Sequence, residues 1–304
     1  MARPRVPGRP TARGGGSPVT GPRDLAELIR APAALSVPGD ALAGAAAAGV
    51  LSPRSAGLAL ASTALYWAGM AANDWADRNL DAQERPERPI PSGRVSPDAA
   101  LALSAGLTAA GVCVAGLAGG RRALVVATAL AGAVWTYDLR AKGGPAGPAV
   151  MAACRGLDVL LGASPGPYRR ALPEALTVAA HTWTVTALSR GEVRGAPKTL
   201  PASTLAATAV VAGALAGSAG RGSAPAAASV ALACWYAADY GGAQARAVNA
   251  PTAARVRGAV AAGITALPAL QGALIARRGH RGTALAVAAG AVAGRILGRK
   301  VSPT

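Results

Sequence analysis

A chain of 304 residues with 52% apolar but only 15% charged side chains lies well below the roughly 25% charge typical of water-soluble domains, which argues against a soluble globule. The net charge of +17 raises the nucleic-acid class, but the arginines are dispersed through short loops, which argues against a basic docking face. Cys113, Cys154 and Cys234 stand far apart inside apolar runs with no CxxC or Cys/His spacing, so they read as small packing residues rather than metal ligands.

In chain order, residues 1–23 are rich in Arg, Pro and Gly. They cannot bury a core and are expected to form a disordered basic tail. This stretch does not read as a cleavable signal peptide, because the first apolar run is span-length rather than a short h-region. Residues 24–304 are expected to form one transmembrane domain. Apolar segments recur at about 32–51, 56–72, 97–118, 122–137, 146–163, 172–188, 200–217, 224–240, 256–276 and 282–298. Runs of about 17 to 25 apolar residues cross the hydrocarbon core as helices, so the expected fold is an all-α polytopic membrane protein. Ser96-Pro97 reads as a helix cap followed by a first-turn proline. With the N-terminus placed in the cytosol, Lys and Arg fall on the inner loops roughly twice as often as on the outer ones. This puts the chain in the cytoplasmic (inner) membrane with its N-terminus inside. Alanine and glycine dominate and phenylalanine is absent; small residues let membrane helices approach closely.

The second apolar segment runs directly into Asn73-Asp74-Trp75-Ala76-Asp77-Arg78-Asn79-Leu80-Asp81. On a helix, Asp74, Asp77 and Asp81 share one side, with Asn73 beside Asp77. Clustered carboxylates raise one another's pKa, so a cation is expected among them. Oxygen-only ligands point to Mg²⁺ rather than zinc. The plainer reading is a solvated helix laced with i,i+4 ion pairs: Asp74/Arg78, Asp81/Arg85 and Glu84/Arg88.

Downstream stands Arg88-Pro89-Ile90-Pro91-Ser92-Gly93-Arg94-Val95-Ser96. Together, NDxxDxxxD and this RPIPSGR-like loop followed by a serine closely resemble the UbiA family of intramembrane prenyltransferases. The resemblance implies a bundle of nine transmembrane helices around a central cavity, here with one extra C-terminal span. It further implies a Mg²⁺-dependent enzyme that transfers an isoprenoid from a prenyl diphosphate to a lipophilic acceptor. Carried over by position, Asn73, Asp74, Asp77 and Asp81 would hold Mg²⁺-diphosphate. Arg88 and Arg94 would contact phosphate oxygens. Tyr137 and Lys142 fall where the family has a Tyr and a basic residue after the fourth helix. The family's second acidic motif survives here only as a frame, Gly195 to Pro201, with Glu192 the one remaining acid and Arg190, Arg194 and Lys198 around it. Those bases could bind diphosphate directly. This altered motif resembles an EboC-like subgroup and keeps open a degenerate protein that binds or moves an isoprenoid or related lipid. An unrelated transporter or channel is a third reading.

Arg155 and Asp158 stand at i,i+3 inside the fifth segment. Ionisable residues in a membrane helix face a cavity or each other, so they are either cavity residues or a buried ion pair. His181 and His280 are isolated in the sequence and suggest no catalytic pair. The five tryptophans stand mostly near segment ends, where interface anchoring is the default. Nothing in the sequence selects the acceptor, the prenyl length or the oligomeric state.

Overall fold

The computed structural model describes residues 21–217 and 224–301. The basic tail expected over residues 1–23 therefore lies, as far as residue 20, outside the described residues; Pro22 and Arg23 open a helix instead. The described chain is helical throughout, with no strand. A short helix α1 (Pro22–Leu28) and a 3₁₀ turn (Ala31–Ser36) lead into α2 (Pro38–Ala48). Then follow α3 (Arg54–Glu84), α4 (Pro97–Thr136), α5 (Gly147–Ala163), α6 (Leu172–Ser189), α7 (Thr199–Gly217) and α8 (Ala224–Tyr236). A short α9 (Gly242–Asn249) precedes α10 (Ala253–Arg277) and α11 (Arg281–Val301).

The local reasons are legible. Ser96 caps α4 by accepting a hydrogen bond from the Ala99 N–H at 3.1 Å, with Pro97 in the first turn, which satisfies a donor that has no partner inside the helix. The two apolar segments expected at 97–118 and 122–137 form one rod only nominally. Gly120 sits at φ 73°, ψ −163° inside it, a conformation that only glycine adopts without strain. α4 is thus two helices meeting at a glycine break. By contrast α3 runs past the apolar stretch to Glu84, so the acid motif is the continuation of a span.

Successive helices pack side by side from α2 through α8, and α10 then packs against both α8 and α2, which closes a ring. α2 and α5 touch backbone to backbone. A Cβ on Gly44 would overlap the Val159 carbonyl, and one on Gly162 would overlap the Ala41 carbonyl. The core is correspondingly alanine-rich, with Tyr236, Tyr240 and the leucines of α10 as its large members. Such close approach lets van der Waals packing hold helices that gain little hydrophobic energy from one another in lipid.

Among the described residues three helical stretches are long and apolar enough to cross a membrane by length and composition: Pro97–Ala141, Thr199–Gly217 and Ala253–Arg277. The others fall short of the expected ten for identifiable reasons. α5 has 17 residues and carries Arg155 and Asp158, α6 carries Glu174, His181 and four threonines, and α3 ends in the acid motif.

Candidate active site

The ring encloses a cavity of about 540 Å³. Its walls are apolar, from Leu65, Met70, Leu130, Val134, Val185 and Leu267. One end is polar and is built where α3 and α4 run out of apolar sequence: Asn73, Tyr137, Asp138, Arg30 and Glu192 line it. Tyr137–Ala141 forms a single π turn at the end of α4, the kind of local rewinding that turns side chains inward near functional sites.

The acid motif flanks this end. Asp74 and Asp81 are buried, at 5% and 1% exposure, and share one guanidinium. Arg88 Nη1 lies 2.7 Å from Asp81 Oδ2 and 3.3 Å from Asp74 Oδ1. Arg30 reaches Asp74 Oδ1 at 3.0 Å from the turn before α2. Asp77 leans away and meets Lys142 Nζ at 2.6 Å. Asn73 donates to Asp138 Oδ1 at 3.1 Å. The ion-pair ladder on α3 is mostly unformed: of its three pairs the structure closes Asp81–Arg85, at 3.4 Å. Arg78 instead bonds the Trp75 carbonyl and lies 4.7 Å over the Trp75 ring, and Arg88 reaches back across the loop. The acids are therefore tied mainly to bases on other elements rather than to a ladder along α3.

Burial raises the Asp74 pKa above the usual carboxylate range. The Arg30 and Arg88 guanidiniums pull it down and Asp81 pushes it further up. Glu192 is also raised, by burial, against the opposing pull of Arg257.

Several expected residues fall elsewhere. Arg94 is held outside the cavity by Asp24 and Glu27 of α1, each at 2.7 Å, and donates to the Glu87 carbonyl. It clamps α1 onto the loop. Arg190 donates to the Gly144 carbonyl at 3.1 Å and is exposed, as are Arg194 and Lys198; of the second motif, Glu192 and its neighbour Ser189 reach the cavity wall. Arg155 and Asp158 both line the cavity, and Arg155 pairs with Asp40 of α2 at 2.8 Å rather than closing on Asp158. No tryptophan lines the cavity; its rings are Tyr66, Tyr137 and His181.

Four residues escaped the sequence reading. Asp138 stands between two residues that the reading named, and an acid ending a long apolar run was a usable signal. Arg30, just before the first segment, and Asp40, inside it, carried a like signal as ionisable residues beside or within an apolar run. His181 lines the cavity, bonds the Tyr236 hydroxyl at 3.0 Å and meets the Tyr240 ring edge-on. Its partners are more than 50 positions away, beyond any local pattern.

No three Asp, Glu, His or Cys side chains converge on one point among the described residues. The donor chemistry still suits a hard cation: Asn73 and Asp138 line one end of the cavity, and Asp74, Asp77 and Asp81 stand beside them on α3 with oxygen donors only.

Comparison with known proteins agrees with this architecture. Digeranylgeranylglyceryl phosphate synthase of Natronomonas pharaonis is 46% identical over 92 residues, 30% of this chain and 33% of the relative. The enzyme of that name from Halobacterium salinarum is 38% identical over 149 residues, 47% of this chain and 52% of the relative. The chain thus matches about a third to a half of the length of these curated relatives. A solved UbiA homolog from Aeropyrum pernix K1 superposes with a TM-score of 0.61 at 20% identity, covering 80% of this chain and 96% of that one. A structure solved under the description "Structural and mechanistic insights into the biosynthesis of Digeranylgeranylglyceryl phosphate synthase in membranes" superposes with a TM-score of 0.63 at 16% identity, covering 84% of this chain and 98% of that one. The model of the UbiA prenyltransferase family matches residues 37–240, two thirds of the chain, and the chain belongs to that family of membrane proteins.

Proposed function

We propose that this protein is a Mg²⁺-dependent membrane prenyltransferase that moves an isoprenoid from its diphosphate to a lipophilic acceptor. The observation that carries the reading is the join of two unlike environments: a largely apolar cavity of about 540 Å³, and beside one end of it acids held by Arg30, Arg88 and Lys142. A prenyl diphosphate is amphipathic in the same way. Asp74, Asp77, Asp81 and Asn73, with Asp138 beside them, would hold Mg²⁺, which on binding supplies charge stabilisation for the departing diphosphate. A second site at Glu192 has a single carboxylate to offer.

In this reading Lys142, Arg88 and Arg30 turn from their carboxylates to the diphosphate oxygens. They stabilise the negative charge that grows as the C1–O bond breaks. The apolar walls exclude water from the allylic carbon, and Tyr137 and Tyr66 offer ring faces to positive charge on it. The acceptor forms the new bond to C1 and releases its proton. Nine membrane spans around the cavity, a tenth at α11 and a cytosolic N-terminus complete the proposal.

The test is diphosphate release from geranylgeranyl diphosphate by the purified chain, with and without Mg²⁺. Geranylgeranyl is the first donor to try because the relatives' name contains it. Asp74→Ala and Asp77→Ala are expected to lower kcat/KM by about 100-fold or more, the scale of losing a preorganised charge contact, while the protein still inserts. Turnover within tenfold of wild type in both variants would defeat the reading. The second reading, a protein that binds an isoprenoid without chemistry, draws on the single acid left in the second motif. It expects a lipid to co-purify and no Mg²⁺-dependent diphosphate release.

A further inference from the structure

Far from the acid motif, the cavity has a second polar group of residues. Ser62 and Asn73 both line it from α3, eleven positions apart, which is about 16 Å along a helix. Around Ser62 stand Arg155 and Asp158 of α5. Asp158 is buried at 4% exposure, and its Oδ2 accepts from the Ser62 hydroxyl at 2.7 Å. Its Oδ1 has no partner. Arg155 uses Nε on Asp40 Oδ2 at 2.8 Å, while its Nη2 is buried and also without a partner. Asp40 is fully buried; its Oδ1 takes a bond from Gln271 Nε2 at 2.6 Å, and its Oδ2 is held by the Arg155 ion pair alone.

Two unsatisfied groups of opposite kind therefore border one apolar chamber. Leaving either unpaired costs about 1–3 kcal/mol, more for a charge. The pair also states what would satisfy it. Arg155 Nη2 needs an acceptor and Asp158 Oδ1 needs a donor, and a hydroxyl group is both. A carboxylate or phosphate would suit Arg155 but offer Asp158 Oδ1 no donor. An ammonium group would suit Asp158 but leave Arg155 without an acceptor. We infer that this inner end of the cavity is a binding site for an uncharged hydroxyl group, and that the acceptor of the reaction carries such a hydroxyl as an anchor, distinct from the atom that attacks C1 at the diphosphate end. The second half of that statement rests on the transferase reading; the first does not.

The probe is 1-O-hexylglycerol, compared with the same molecule methylated on both hydroxyls, which can accept but not donate. Binding to the purified full chain in lipid nanodiscs is measured by calorimetry, and geranylgeranyl diphosphate is titrated separately. The diol is expected to bind at least about tenfold tighter than the diether, since a hydrogen bond to a charged group is worth a factor of ten or more. Asp158→Ala should remove that preference. Ser62→Ala, which keeps every charge in place, should reduce it, so the result does not depend on one variant folding. Geranylgeranyl diphosphate should titrate the wild type and both variants alike. Equal binding of diol and diether would mean that ordered water alone fills the site and would overturn the proposal. So would an undiminished preference in both variants. Diol binding that persists where geranylgeranyl diphosphate fails to bind would support the hydroxyl site and sink the transferase reading instead.

Discussion

Asp74 illustrates how the site is tuned at single residues. It has two guanidiniums within 3.3 Å, yet burial outweighs them and its pKa is raised. A carboxylate raised in the folded state favours folding when protonated, and that advantage is lost as pH rises through the raised pKa. The thermal midpoint of wild type relative to Asp74→Asn is therefore expected to fall as pH climbs through and above the ordinary aspartate range. In the proposed reaction Asp74 acts in its ionised form, so activity should do the reverse: the acid limb of the pH–rate profile should sit above the ordinary aspartate range and should vanish in Asp74→Asn. A midpoint difference that does not change with pH would contradict this. Arg94 makes the opposite case. The sequence reading placed it on phosphate, but its partners are Asp24, Glu27 and Glu87. Arg94→Ala should loosen α1 by about 1 kcal/mol, the scale of a partly exposed ion pair, with the KM for prenyl diphosphate little changed because no substrate contact is removed. A large rise in KM without a change in thermal midpoint would restore the phosphate role.

At the scale of elements, much of the site was readable because helical periodicity is a strong constraint. Asp74 and Asp81 were expected on one side, and at about 100° per residue they stand only about 20° apart; the structure joins them through Arg88. Asp77 lies about 60° round the same helix and goes to Lys142 instead, a pairing set by where α4 ends rather than by spacing on α3. The long-range members were not readable for the same reason. Arg30, Asp138 and Glu192 reach the mouth from three other elements, and only the closing of the ring brings them together. The break in α4 was visible as an interval between two apolar segments, and the structure supplies its cause in the positive φ of Gly120. Gly120→Ala should cost about 1–3 kcal/mol, the penalty for a residue with a Cβ in a backbone region that is essentially glycine's alone, read as a lower thermal midpoint in detergent. An unchanged midpoint would show that the break tolerates a side chain.

At the scale of the whole molecule, one contact and one length fix which loops share a face of the bundle. Lys142 pairs with Asp77, so the loop after α4 lies on the same side as the acid motif and the 85–96 loop. From that loop α5 carries the chain through 17 residues, about 25 Å at 1.5 Å per residue, to the turn that holds Arg169 and Arg170. These two arginine-bearing turns therefore lie on opposite faces of the bundle. In the proposed topology, the excess of Lys and Arg on the acid-motif side puts that side in the cytosol. In a background where Cys113, Cys154 and Cys234 are alanine, Glu87→Cys should react with a membrane-impermeant maleimide only in inside-out vesicles, and Arg169→Cys only in right-side-out vesicles. Both positions are exposed, so a failure to react reports shielding by the membrane rather than burial in the protein. Reversed labelling would place the diphosphate end of the cavity outside the cell, where a charged prenyl donor made in the cytosol could not reach it, and the transferase reading would fall with the topology.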